Sequence, residues 1–156
     1  MNTGLVSAEW SCAKAIYKYA KGADNNDAAI FLDAFTPDGV WVRPDGQELK
    51  GHAELNSFFL ARPSGVFSRH IITNVVVDII DSENASATSA GVVLKAEEPT
   101  SRPFKFPPAT TLAYYEDRLR RCEDGQWRLL HRRVTVQIEL PAGPQAGGEP
   151  GFKASP

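Results

Sequence analysis

Four runs of strand-forming residues fill the second half of this chain, at 66–80, 85–96, 109–122 and 126–139, and they constrain its fold more than any other feature. Turns at Ser82-Glu83-Asn84 and Asp124-Gly125 join the first run to the second and the third to the fourth, so these neighbours pair as antiparallel hairpins. Helical patterns come before them. Trp10, Ala13, Ile16, Tyr17 and Ala20 recur at helical spacing behind a cap at Ser7 and predict a helix over 8–22, weakened at Gly22. Asn26 or Asp27 caps a short second helix with apolar positions Ala28, Phe31, Leu32 and Phe35, stopped by Pro37. Val40-Trp41-Val42 and Glu48-Leu49-Lys50 flank an Asp45-Gly46 turn as a small hairpin, and a third helix is expected over 53–60. Helices first and then a long meander read as the α+β class, with three N-terminal helices covering one face of a curved antiparallel sheet.

At 156 residues and 42% hydrophobic content the chain holds one core, expected over 1–140, followed by a mobile Pro/Gly-rich tail over 141–156. The Pro-rich stretch 97–108, with Phe104 and Phe106, is too long for a tight hairpin and is expected to cross the mouth of whatever the sheet encloses. A net charge of −2 and no Lys/Arg run exclude a nucleic-acid or membrane-surface face. No stretch of about 18 apolar residues and no leader pattern occur, so a cytoplasmic protein is expected. Cys12 and Cys122, three scattered histidines and the lack of a Gly-rich phosphate loop give no ligand spacing, and neither metal nor cofactor is expected.

Three polar residues fall where apolar ones belong. Asp24 follows Ala20 by four residues and Tyr17 by seven, so it either extends the core-facing stripe of the first helix or turns the Asp-Asn-Asn-Asp connection into the second. His70 lies within Arg69–Ile80, and strict alternation sets it opposite Ile71, Val75, Val77 and Ile79. A one-residue bulge near Thr73-Asn74 would instead unite His70 and Ile72 with Val75, Val77 and Ile79, making His70 either a proton-transfer group or a bonded fixture. Arg132 alternates with Leu130, Val134, Val136 and Ile138, and needs an anion from protein or ligand unless it snorkels to water.

Tyr19 to Asp24 with four residues between, Phe-Thr-Pro-Asp-Gly-Val-Trp at 35–41, Arg-His-x-x-Thr-Asn at 69–74 and Asp-Gly-x-Trp-x-x-x-x-Arg at 124–132 resemble the SnoaL-like branch of the nuclear-transport-factor-like cone fold. The resemblance spans roughly residues 8–140 and implies a cone-shaped sheet around an apolar pocket. Its nearest catalytic patterns are those of scytalone dehydratase, bile-acid dehydratase and lindane dehydrochlorinase. They imply His70 as base, Asp24 as its orienting carboxylate, Tyr19 as a hydroxyl donor and Arg132 as an electrostatic partner of the leaving group or the dyad. Ser68 stands where the dehydrochlorinase has a cysteine, and the strand at 85–96 offers only Thr88, Ser89 and Lys95 where the dehydratases place a further histidine or aspartate.

Tyr17, Trp41, Phe59, Ile72 and Tyr115 are the side chains expected to wall a pocket for a small hydrophobic cyclic or polyketide-like metabolite. The reading is a cofactor-independent lyase or isomerase. A non-catalytic assembly module like the small subunits of ring-hydroxylating dioxygenases is the alternative, and it expects Asp24 and His70 too far apart to bond. An epoxide-hydrolase-like activity is a third reading, lacking its second carboxylate in the 85–96 strand. A homodimer or homotrimer is expected, built on an apolar outer sheet face carrying Trp127 and Leu129.

Overall fold

A computed structural model describes residues 3–96, 103 and 108–143. The 97–108 stretch, apart from Pro103 and Pro108, and the tail beyond Gly143 lie outside the described residues. The elements run α1 (Thr3–Asn25), α2 (Ala28–Asp33), β1 (Phe35–Val42), β2 (Glu48–Lys50), α3 (Gly51–Leu60), β3 (Phe67–Ile79), β4 (Asn84–Ala96), β5 (Ala109–Arg121) and β6 (Trp127–Leu140). The strands form one curved, unclosed sheet in the order β2-β1-β6-β5-β4-β3, which makes β3 an edge. Every pairing is antiparallel except β1 with β6, which run parallel because the whole of α3, β2, β3, β4 and β5 intervenes.

Helix α1 packs on β3, β6 and α2. Its buried stripe is Cys12, Ala13, Ala15, Ile16, Tyr19, Ala20 and Ala23. The expected stripe is therefore rotated: Trp10 and Tyr17 point outward, 60% and 41% exposed. Small side chains let α1 approach its neighbours closely, which the larger aromatics would prevent. Gly22 does not end the helix. A Cβ there would stand 2.4 Å from the Phe31 backbone nitrogen, so glycine is what allows α2 to lie against α1.

Bulges set the faces of the long strands. In β3, Thr73 pairs with Ala90 and Val76 with Thr88, so Asn74 and Val75 together oppose Ser89, and Asn74 takes φ 51°. Ser68, His70, Ile72, Val75, Val77 and Ile79 thereby share the inner face, all buried or half-buried, while Arg69, Ile71, Thr73, Asn74, Val76 and Asp78 are exposed. In β6, Arg118 pairs with His131 but Leu119 with Leu129, which leaves Leu130 as an extra residue. The alternation expected for this strand slips there: Trp127 and Leu129, not Leu130, share the buried side with Arg132 and Val134. Trp127 (7% exposed) and Leu129 (0%) are thus core, and the outer face suggested for a second copy does not carry them. The apolar row that does cross the outer face is Ile71, Val92, Leu112 and Ile138 in successive register.

Candidate active site

Asp24 owes its position to the way α1 ends. Asn26 adopts φ 54°, and the Asp27 N–H donates to the Gly22 carbonyl (2.9 Å) while the Asn26 N–H donates to that of Ala23 (3.4 Å). This is a Schellman termination with asparagine in the left-handed position. Asp27 then caps α2, accepting from the Ile30 N–H at 3.0 Å. Capping falls to Asp27, so Asp24 is left in the last turn of α1 with its carboxylate turned to β3. Arg62 donates to the Ala23 carbonyl and Arg69 to the Asp24 carbonyl, 3.2 and 3.1 Å away, placing cations at the negative end of the helix.

His70 meets that carboxylate twice. Its Nδ1–H donates to Asp24 Oδ1 at 2.6 Å and its backbone N–H donates to Oδ2 at 2.8 Å. The backbone bond is available because β3 is an edge strand whose outward N–H groups lack a strand partner. Ser68 adds a third donor, its Oγ lying 3.2 Å from Oδ1. Burial by itself would raise the Asp24 carboxyl, but the two bonds from His70, the imidazole's charge and the Ser68 hydroxyl outweigh it and hold the group below the usual carboxylate range. An ionised carboxylate only accepts, so the proton of a neutral imidazole sits on Nδ1 and the Nε2 lone pair is free. Among the described residues Nε2 has no hydrogen-bond partner, and the side chain retains 10% exposure.

Tyr19 is the hub beside this pair. Its ring centroid lies 5.9 Å from His70, 5.9 Å from Trp41, 5.3 Å from Phe31 and 6.4 Å from Tyr115. Burial and the neighbouring Tyr115 push its hydroxyl pKa well up against the opposing pull of Arg132, so the phenol stays protonated and able to donate. The Arg132 guanidinium sits between two rings, 4.3 Å from the Tyr19 centroid and 4.6 Å from that of Tyr115. It donates to both oxygens of Asp117, Nε at 2.8 Å and Nη2 at 2.7 Å. Neither side chain reaches solvent. Burial alone would lower the Arg132 pKa, but Asp117 more than compensates and keeps the guanidinium charged. Among the described residues Arg132 Nη1 has no hydrogen-bond partner, and neither do Trp41 Nε1 and Ser89 Oγ. Trp41 and Arg132 are register partners across β1 and β6, so two of these orphaned N–H groups belong to adjacent side chains.

The structure therefore brings His70, Asp24, Tyr19, Arg132, Trp41 and Tyr115 together. Ile72 shares their face, its Cδ1 and the Tyr115 ring closing over Gly91, where a Cβ would meet them at 3.1 and 2.9 Å. Phe59 is set back, stacked on Phe31 at 4.9 Å. Tyr17 does not belong to the group, because it lies on the outward face of α1. Asp117, Ser68 and Ser89 join the site without being among the residues the sequence singles out for it. Asp117 alternates with Ala113, Tyr115 and Leu119 on β5, and that period-two pattern was the available signal for a buried carboxylate.

A curved α+β sheet with helices on its concave face and a carboxylate–imidazole pair beside buried tyrosines defines a cone-fold protein. The chain belongs to the SnoaL-like family, whose domain matches residues 5–133. In fold it is similar to a candidate scytalone dehydratase from Novosphingobium aromaticivorans (14% identity, 95% of this chain and 99% of that one, TM-score 0.77). It is also similar to a hexachlorocyclohexane dehydrochlorinase (12%, 97% and 100%, TM-score 0.76). A ketosteroid isomerase-like protein from Erwinia carotovora atroseptica shares the fold too (18%, 88% and 99%, TM-score 0.68). No curated protein matches the chain. Among the described residues no helix is long and apolar enough to cross a membrane, and no cluster of candidate metal ligands occurs.

Proposed function

We propose that this protein is a cofactor-independent lyase or isomerase acting on a small hydrophobic cyclic metabolite, with His70 as general base. The observation that carries this reading is the Asp24 carboxylate held by three donors, two of them from His70, with Nε2 unpaired among the described residues. In this scheme Nε2 removes a proton from a carbon next to a carbonyl, and Asp24 stabilises the imidazolium that forms. Tyr19 donates a hydrogen bond to a substrate oxygen, and the buried Arg132 guanidinium behind its ring adds a positive field where negative charge develops. In an elimination the proton leaves with the departing hydroxyl as water. In an isomerisation it returns to another carbon of the enol.

The short Asp24–His70 contact weighs against the assembly-module reading, which expects the two apart. An epoxide-hydrolase-like scheme gains a carboxylate partner for Arg132 in Asp117. Yet the Asp117 side chain is wholly buried and bonded through both oxygens to that arginine, the arrangement of a structural ion pair. The relatives named above, a candidate dehydratase, a dehydrochlorinase and an isomerase-like protein, agree with lyase or isomerase chemistry.

The test begins with a thermal-stabilisation screen of hydrophobic cyclic ketones and hydroxyketones, since a ligand of the native state must raise apparent stability. Turnover of the hits is then compared in His70→Ala and Asp24→Ala. Loss of kcat by about 100-fold or more in each is expected, and full activity in either variant defeats the proposal.

A further inference from the structure

The outer side of the helix layer holds a concavity of about 590 Å³ in the groove between α1 and α2. Trp10 and Tyr17 project into it from α1, two helical turns apart and 60% and 41% exposed, with Ala29 and Ile30 of α2 on its other side. Lys14 and Lys21 follow the same outward stripe, and Lys18 joins them while paired to Asp33 at 2.5 Å. Exposing a tryptophan and a tyrosine on one helix face places in water the two side chains that most often anchor protein interfaces. The chain carries a net charge of −2, so these lysines form a local field opposite in sign to that of the whole molecule.

We propose that this groove docks an acidic amphipathic helix of a partner protein. A channel between two helices receives a convex helical ridge, whose apolar residues at two-turn spacing would meet Trp10 and Tyr17. Carboxylates flanking that ridge would face Lys14 and Lys21. A second copy of the chain related by a twofold axis would set these lysines against their own counterparts, which repel. A flat anionic bilayer would engage the lysines but leave the groove beside Ala29 and Ile30 unfilled.

Fluorescence anisotropy tests this with the full-length protein and a labelled, designed helical peptide bearing leucines two turns apart flanked by glutamates. The same peptide with lysine for every glutamate and vesicles of phosphatidylglycerol serve as the other probes. The acidic peptide is expected to bind at least about tenfold tighter than the lysine peptide, and K14E with K21E, or W10S alone, to weaken it by a similar factor with unchanged circular dichroism. His70→Ala is expected to bind the peptide as the parent does, which separates docking from the proposed chemistry. Equal binding of the two peptides, indifference to K14E with K21E, or vesicle binding without peptide binding each overturn the proposal. So does a W10S variant whose one defect is lost self-association in sedimentation.

Discussion

Asp24 accepts three hydrogen bonds, and each donor favours its charged form. Its folded pKa lies below the unfolded value, so the unfolded chain takes up the proton first as pH falls. The stabilisation is complete above about pH 4 and is lost as pH drops through the depressed folded value. Urea midpoints measured from about pH 5.5 to about pH 3 should therefore fall more steeply for the parent than for Asp24→Asn. The same variant should lower kcat by about 100-fold while leaving the imidazole in place, because an amide cannot balance an imidazolium. Arg132 and Asp117 behave differently, since both charges are wholly inside. Asp117→Asn is expected to cost about 3–5 kcal/mol in chemical denaturation by stranding the guanidinium, and Arg132→Met combined with Asp117→Leu to recover most of that loss.

At the scale of elements, bulges decided what could be read from sequence. The β3 bulge was legible because Thr73-Asn74 interrupts an apolar run, and the left-handed Asn74 supplies the reason that residue type is there. Asn74→Gly should be nearly neutral, whereas Asn74→Val should cost about 1–2 kcal/mol and weaken the Asp24–His70 contact, visible in the thermal midpoint and in the His70 side-chain NMR signals. The β6 bulge falls within the Leu129-Leu130 pair, and nothing in two adjacent leucines marks which one is extra. The phase of α1 was hidden for another reason. Apart from Ile16 and Tyr19, the buried side of α1 is alanine and Cys12, so hydrophobicity alone gives Trp10 and Tyr17 as much weight as the residues that are buried. Gly22→Ala tests that tight packing: its methyl would collide with the backbone of α2, with an expected loss of about 1–3 kcal/mol by thermal or urea denaturation.

For the molecule as a whole, the α+β class and the β3–β6 meander came from order, with helical patterns before strand patterns, while the parallel seat of β1 beside β6 has no signal in that order; the arrangement of the site came from faces. His70, Asp24, Tyr19 and Arg132 are separated in sequence but converge because α1 ends over the β3 edge while β6 supplies the arginine from the sheet's middle. Asp117 is masked by the charged run Glu116-Asp117-Arg118, which looks solvated until its neighbours' burial is known. A ligand that fills the site should raise the melting temperature, and the gain should vanish in His70→Ala only if the imidazole touches it.

The bond from the His70 backbone N–H to Asp24 reaches beyond chemistry. It closes an amide on the strand that ends the sheet, where an open edge invites another chain to add itself. A chain that lost the carboxylate would also unfasten this clasp and expose its sheet edge to pairing with other chains. Amide exchange at His70 is the natural gauge: slow in the parent, fast in Asp24→Ala, and coupled to a rise in aggregation on storage.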